Sequence, residues 1–108
     1  MAWRPVARVG AVNAGDVIAV EVDGVEMALG RDGERYFATQ RRCVHRNGDL
    51  SEGIVSRGHL ICPNHAWRFS TTTGWHAEAS EYCLITYPVR VVDDQIEVDT
   101  VPLERKSP

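Results

Sequence analysis

The chain has 108 residues, of which 44% are hydrophobic and 25% charged, and its formal net charge at pH 7 is −3. This length suits one core, so we expect a single domain over residues 1–108. The acidic balance disfavours nucleic-acid binding, and no run of about 20 apolar residues predicts a membrane span or a leader. Three cysteines, an odd number, favour a reducing compartment, the cytoplasm, over a disulfide framework.

In chain order, alternating apolar and polar residues predict an all-β fold. The predicted strands cover residues 16–22, 25–30, 34–39, 84–92 and 95–98. Asp23-Gly24 and Asp93-Asp94 are predicted hairpin turns, and Arg31 to Gly33 separates the second and third strands. We expect these strands to form a small antiparallel β-sandwich or barrel as a base, with a lobe inserted at about residues 41–78 and a frayed tail from Val101 to Pro108.

Two short boxes, Cys43-Val44-His45 and Cys62-Pro63-Asn64-His65, lie within the predicted lobe. Each box offers one thiolate and one imidazole. A [2Fe–2S] centre in which one iron binds two cysteines and the other binds two histidines requires such a pair from each loop. In an extended Cys-x-His segment both side chains share one face, so one loop can reach both irons. The order therefore predicts a cluster bound by Cys43, His45, Cys62 and His65, and an electron carrier.

A zinc-bound structural or interaction module is the alternative of another class, because two cysteines and two histidines are also a zinc ligand set. Zinc modules usually pair like ligands, as Cys-x2-4-Cys and His-x3-5-His. A single residue between Cys43 and His45 fits that spacing poorly. Metal content separates the two interpretations.

The residues around the boxes extend the pattern to C-x-H-x4-L-x2-G and C-P-x-H-x-W-x-F-x4-G, through Leu50, Gly53, Trp67, Phe69 and Gly74. This pattern resembles the two-box signature of Rieske ferredoxins, over about residues 3–99. The resemblance implies a Rieske fold and a Rieske-type [2Fe–2S] cluster, one per chain. It also implies that the chain is not an enzyme but the electron-transfer component of a multicomponent oxygenase system.

Departures from the family pattern concern the surroundings of the cluster. High-potential Rieske proteins carry a disulfide between positions that correspond to Gly48 and Asn64 here. They also place a serine and a tyrosine where this chain has Trp67 and Phe69, which have no hydroxyl group. Fewer hydrogen bonds to the cluster sulfurs predict a reduction potential near the low end of the Rieske range, about −150 mV.

The His-x-Trp-x-Phe stretch and the separation of Cys62 from Cys83 look most like the ferredoxin of toluene 4-monooxygenase and related di-iron monooxygenases, which serve aromatic hydrocarbon catabolism. The alternative is the ferredoxin of an aromatic ring-hydroxylating dioxygenase. Those ferredoxins usually have glycines at the positions of Asn47 and Ala66. The chain has no glycine-rich nucleotide loop, so its electrons must come from a separate reductase, which the resemblance implies is NADH-dependent and flavin-containing. We expect a monomer that donates electrons to an oxygenase.

Five arginines against two carboxylates make residues 41–68 the positive end of an acidic protein. We predict that Arg46 and Arg68 steer this end toward an acidic partner, although a merely solvated face is the alternative. His45 and His65 are the predicted electron exit. Trp67 is expected beside them, where it both shapes the docking face and covers the core against water. The sequence assigns no role in the site to a further set of residues: Cys83 is expected in the core, His59 and His76 at the surface or in strands, and Glu78 and Glu81 in solvent.

Overall fold

The computed structural model describes residues 2–44, 48–64, 66–79 and 81–107. Ten strands in these ranges form three antiparallel sheets, which confirms the all-β prediction. The strands are β1 (Arg4–Arg8), β2 (Val17–Val22), β3 (Val25–Asp32), β4 (Arg35–Gln40), β5 (Ile54–Ser56), β6 (His59–Ile61), β7 (Arg68–Ser70), β8 (Thr86–Tyr87), β9 (Val89–Val92) and β10 (Gln95–Val98). Short 3₁₀ turns cover Val9–Ala11 and Leu50–Glu52. No helix of the described residues has the length and apolar character that a membrane crossing needs.

The strand orders are β1-β10-β9, β2-β3-β4-β8 and β5-β6-β7. The first two sheets form the base, and the third lies within the predicted lobe. The predicted turns at Asp23-Gly24 and Asp93-Asp94 are confirmed, and all four residues have positive φ, from 48° to 81°. The separator predicted at Arg31 to Gly33 is wrong by two residues, because β3 continues until Asp32 pairs with Arg35.

The strand predicted over residues 84–92 is interrupted at Pro88. Before the proline, Tyr87 of β8 pairs with Ala38 of β4, and after it Val89 of β9 pairs with Val98 of β10. Proline lacks an N–H and cannot continue a ladder, so the chain passes from one sheet to the other at this residue. Strand β1 was not predicted. It pairs with β10 despite Pro5, and the register shifts between Pro5 and Ala7.

The two faces of the sheet β2-β3-β4-β8 cover two separate hydrophobic cores. Alternation along β3 sends Met27 and Leu29 to one face and Ala28 to the other. The base core comprises Val12, Met27, Leu29, Ala38, Tyr87, Ile96 and Val98. The lobe core comprises Val17, Ala28, Phe37, Cys43, Leu50, Val55, Leu60, Cys62, Phe69 and Leu84. Both boxes are thereby anchored by their cysteines in the core that joins the lobe to the base.

The C-terminal segment packs against the lobe and β8. The Leu103 N–H donates to the Thr86 carbonyl at 2.8 Å, and the Trp75 indole N–H donates to the Lys106 carbonyl. Arg105 lies over the Trp75 ring, with 5.7 Å from its guanidinium carbon to the ring centroid. The prediction of a frayed tail is therefore wrong for residues 101–106, because its backbone finds hydrogen-bond partners that are distant in sequence.

Candidate functional site

Two loops of similar construction carry the predicted cysteine ligands. In the first loop (residues 43–48) the Cys43 N–H donates to the Gly48 carbonyl at 2.8 Å. In the second loop (residues 62–67) the Cys62 N–H donates to the Trp67 carbonyl, also at 2.8 Å. Each cysteine thus begins a loop that closes five residues later on its own backbone. This closure fixes where the two thiols leave the core.

The two thiols converge. Cys43 and Cys62 are 4% and 1% exposed, are not oxidised to a disulfide, and lie close enough for each thiol to affect the other. Burial raises the pKa of the Cys62 thiol, Cys43 raises that pKa further, and the Asn64 backbone N–H acts in the opposite direction. A bound metal favours the thiolate over the thiol, since its positive charge replaces the proton. A buried pair of adjacent thiols suits a thiolate-binding metal centre.

Gly48 and Asn64 face each other where the two loops meet. A Cβ atom on Gly48 would lie 2.8 Å from Asn64 Nδ2 and 3.2 Å from the Cys62 sulfur. These are the positions that correspond to the disulfide of high-potential Rieske proteins in the resemblance above. The close approach of the loops here depends on a glycine rather than on a covalent bond.

The remaining predicted ligands, His45 and His65, lie outside the described residues, as do Arg46 and Asn47. Among the described residues, no group of three or more His, Cys, Asp and Glu side chains converges on a metal-sized site. The structure therefore brings together the cysteine half of the predicted ligand set. The histidine half stays a prediction.

Two glycines of the sequence pattern are explained by close backbone contacts. A Cβ on Gly53 would lie 2.2 Å from the Ile61 carbonyl oxygen, and one on Gly74 would lie 2.6 Å from the Leu84 carbonyl oxygen. Gly74 also has φ of +83°. Both glycines let segments of the lobe pack at a distance that any side chain would prevent.

Trp67 belongs to a group of rings beside the second loop. Its ring is half-buried against the lobe core and meets His76 edge to face at 4.5 Å and Tyr82 at 5.0 Å between centroids. Phe69 lies 6.3 Å from Trp67 and 5.3 Å from His76. The position is compatible with the predicted place of Trp67 beside the cluster.

His76 is a residue whose role sequence reasoning missed. Its Nδ1 accepts hydrogen bonds from the backbone N–H groups of Glu78 at 3.0 Å and Ala79 at 2.9 Å, so this nitrogen carries no proton. The ring thereby shapes the turn that follows it and supports Trp67. Trp67 and His76 are nine positions apart in the chain. A contact at this separation leaves no periodic signal in the sequence that could have revealed the role of His76.

The arginines of the lobe have different surroundings. Arg41 forms ion pairs with Asp49 and Glu26, and Arg68 forms one with Glu78. The Arg41 guanidinium holds the pKa of the Asp49 carboxyl well below its usual range, against the opposing effect of burial. The Arg68 guanidinium likewise lowers the pKa of Glu78, which is exposed as predicted.

Arg42 and Arg57 are exposed and have no ion pair with any described residue. Arg42 directly precedes Cys43, and Val44 directly after Cys43 is 39% exposed. The surface at the start of the first loop therefore combines an unpaired positive charge with an apolar side chain.

Comparison with known proteins agrees with this geometry. Residues 2–88 match the family model of the Rieske [2Fe–2S] domain. The ferredoxin component of the naphthalene 1,2-dioxygenase system of Pseudomonas putida is 31% identical over 98 residues, which cover 90% of this chain and 94% of the relative. The ferredoxin component of the alkene monooxygenase system of Xanthobacter autotrophicus is 29% identical over 94 residues, covering 86% of this chain and 77% of the relative.

The same likeness extends to three dimensions. A chain in the solved complex of reduced oxygenase and oxidised ferredoxin in carbazole 1,9a-dioxygenase superposes with a TM-score of 0.85 at 26% identity. The superposition covers 95% of this chain and 97% of that chain. The likeness in fold therefore extends over nearly the whole chain.

Proposed function

Because the chain belongs to the Rieske [2Fe–2S] domain family, we propose that it is the electron-carrying ferredoxin of a multicomponent oxygenase system. The observation that carries this proposal is the convergence of the Cys43 and Cys62 thiols from two separate loops in the lobe core. The relatives above are ferredoxin components of oxygenase systems, and this chain covers 94% and 77% of their lengths. Electron transfer to an oxygenase is the function that these ferredoxin relatives support.

Cys43 and Cys62 would bind one iron, and His45 and His65 the other. When bound, the [2Fe–2S] cluster supplies a centre that accepts and releases one electron at a time. The buried cysteines exclude water from their side of the site. The histidine side would then be the electron exit. Family membership favours this cluster over the zinc-bound module, because the zinc interpretation rested on the ligand types alone.

The proposed docking face comprises His45, His65, Trp67, Arg46 and Arg68. The structure supports adding Arg42 and Val44, which flank Cys43 and are exposed. Arg68 contributes less free charge than the sequence suggests, because Glu78 pairs with it. We propose an oxygenase with an acidic rim as the electron acceptor and a flavin-containing, NADH-dependent reductase as the donor.

Both kinds of oxygenase partner have support. The His-x-Trp-x-Phe stretch favours a di-iron aromatic or alkene monooxygenase, and the alkene monooxygenase relative agrees with it. The naphthalene dioxygenase relative supports the alternative, a ring-hydroxylating dioxygenase. Offering the reduced protein to one hydroxylase of each kind and measuring its reoxidation would decide between them.

We further propose that the protein acts as a monomer of one domain, residues 1–108, with the cluster lobe at about 41–78, and that it is a carrier rather than an enzyme. A cytoplasmic location is supported by Cys83, which is buried and forms no disulfide. Its side chain packs as predicted, and burial raises the pKa of its thiol, which disfavours the reactive thiolate.

An EPR spectrum of the anaerobically purified, dithionite-reduced protein tests the proposal. The expected result is a rhombic signal with average g below the free-electron value, together with about two irons and two acid-labile sulfides per chain. His45→Cys is the matched variant, since exchanging one imidazole for a thiolate should change the g-values while leaving iron bound. A silent spectrum from colourless, zinc-containing protein would overturn the proposal.

A further inference from the structure

The necks of the two loops are built differently. The second loop is closed by strands β6 and β7, in which Ile61 pairs directly with Arg68. The first loop leaves β4 through Arg41 and returns through Asp49, with a shorter antiparallel pairing than that of β6 and β7. Its backbone neck consists of an isolated bridge between Arg42 and Asp49 with a hydrogen bond on each side. The Leu50 N–H donates to the Arg41 carbonyl and the Cys43 N–H donates to the Gly48 carbonyl, both at 2.8 Å. The first loop therefore has less backbone support at its neck than the second loop, and side chains add to it.

A two-pronged ion pair crosses this neck. Arg41 Nε donates to Asp49 Oδ1 at 3.1 Å, and Arg41 Nη2 donates to Asp49 Oδ2 at 2.9 Å. The two side chains are only 26% and 12% exposed. Paired, charge-assisted bonds of this kind fix the relative orientation of both groups as well as their distance. Residues on either side of Cys43 and Gly48 are thus held together by side chains.

Each member of the pair is fixed by a further contact. Asp49 Oδ1 also accepts the Ser51 N–H at 3.0 Å and the Ser51 hydroxyl at 2.6 Å, which caps the 3₁₀ turn Leu50–Glu52. On the other side, Arg41 Nη1 donates to Glu26 Oε2 at 2.6 Å. Glu26 lies on β3, a central strand of the base. The neck is therefore tied both to the turn that follows it and to the rigid sheet below it.

We propose that Arg41 and Asp49 are positioning residues that lock the neck of the first loop and thereby hold Cys43 in the geometry that the cluster requires. This inference rests on the proposed function, because it assigns these residues a role toward the same centre. Arg41 and Asp49 act through the hydrogen-bonded backbone of Cys43 and Gly48. The disulfide that braces the positions of Gly48 and Asn64 in high-potential Rieske proteins is absent from this chain.

The test uses the holoprotein and the isosteric variant Asp49→Asn, with Glu97→Gln as matched control. Glu97 accepts a hydrogen bond from Arg90 at 2.7 Å across β9 and β10, and its side chain is 18% exposed. The control variant therefore removes a similar ion pair at a site away from the loops. We expect Asp49→Asn to lose iron to a chelator roughly tenfold faster than wild type, with broadened EPR lines. Amide hydrogen exchange in residues 43–48 should accelerate as well. Glu97→Gln should match wild type in all three, and Asp49→Glu should restore part of the effect.

A wild-type chelation rate and EPR line shape in Asp49→Asn, with only a lowered melting temperature, would overturn the inference, since the pair would then be merely structural. Failure of the proposed function has a different signature. In that case the wild-type protein itself lacks the rhombic EPR signal. The amide exchange rates of residues 43–48 in Asp49→Asn and wild type then still test whether the ion pair rigidifies the neck.

Discussion

At the scale of single residues, Ala66 has a conformation that its side chain disfavours. Its φ is +55°, in the left-handed region, directly after the predicted ligand His65. A Cβ atom in this region costs roughly 1–2 kcal/mol, whereas glycine pays about 0.5–1 kcal/mol for its greater freedom when unfolded. Glycine would adopt this conformation without the cost of a Cβ atom.

We therefore expect Ala66→Gly to stabilise the protein by about 0.5–1 kcal/mol and to raise its melting temperature by roughly 2–6 °C. Ala19→Gly is the matched control, because Ala19 is exposed in the middle of β2 and its variant should destabilise the strand. Calorimetry of the two variants beside wild type checks both signs. A fall in melting temperature for both would show that Ala66 is not strained.

At the scale of elements, the segment after β7 folds back onto the segment before β8. Trp75 and Cys83 form an isolated antiparallel β-bridge, and the Leu84 N–H donates to the Gly74 carbonyl at 2.8 Å. Gly74 allows this contact because it has positive φ and no Cβ. The same fold-back places His76 and Tyr82 around Trp67, so the packing of two irregular segments supports the proposed docking face.

Gly74→Ala should cost at least about 1–3 kcal/mol of unfolding free energy, because the new methyl group meets a backbone oxygen that cannot move aside. Gly10→Ala is the control, since a Cβ there has no neighbour within 4 Å. Thermal unfolding followed by circular dichroism measures both. Equal melting temperatures for the two variants would contradict the proposed close contact.

At the scale of the whole molecule, the net charge of −3 conceals a positive excess in residues 41–68. Only part of this positive charge is free of ion pairs. Arg41 and Arg68 are paired, whereas Arg42 and Arg57 have no ion pair among the described residues. The lobe therefore presents less free charge than its arginine count implies. If the lobe steers docking as proposed, we expect the effect to depend chiefly on arginines near the first loop.

We predict that reversing Arg46 and Arg68 together to glutamate slows electron transfer to the oxygenase roughly tenfold at low ionic strength and weakens its salt dependence. The control is the reversal of Arg4 and Arg8 to glutamate, which changes the net charge by the same amount but lies in the base. Arg4, like Arg68, is ion-paired. Stopped-flow rates over a salt series compare the two. Unchanged rates and salt dependence in the lobe variant would rule out steering by these residues.

The sequence alone determined the chemistry and the local backbone of this protein. The order of cysteines and histidines indicated the kind of centre, and Asp23-Gly24 and Asp93-Asp94 indicated the turns, because these signals depend on neighbouring residues. Tertiary structure decided the rest: the sheet exchange at Pro88, the packed tail, the support of Trp67 by His76, and the lock between Arg41, Asp49 and Glu26. Each of these contacts joins residues from separate segments, and a sequence pattern cannot reveal such partners until sheet register brings them together.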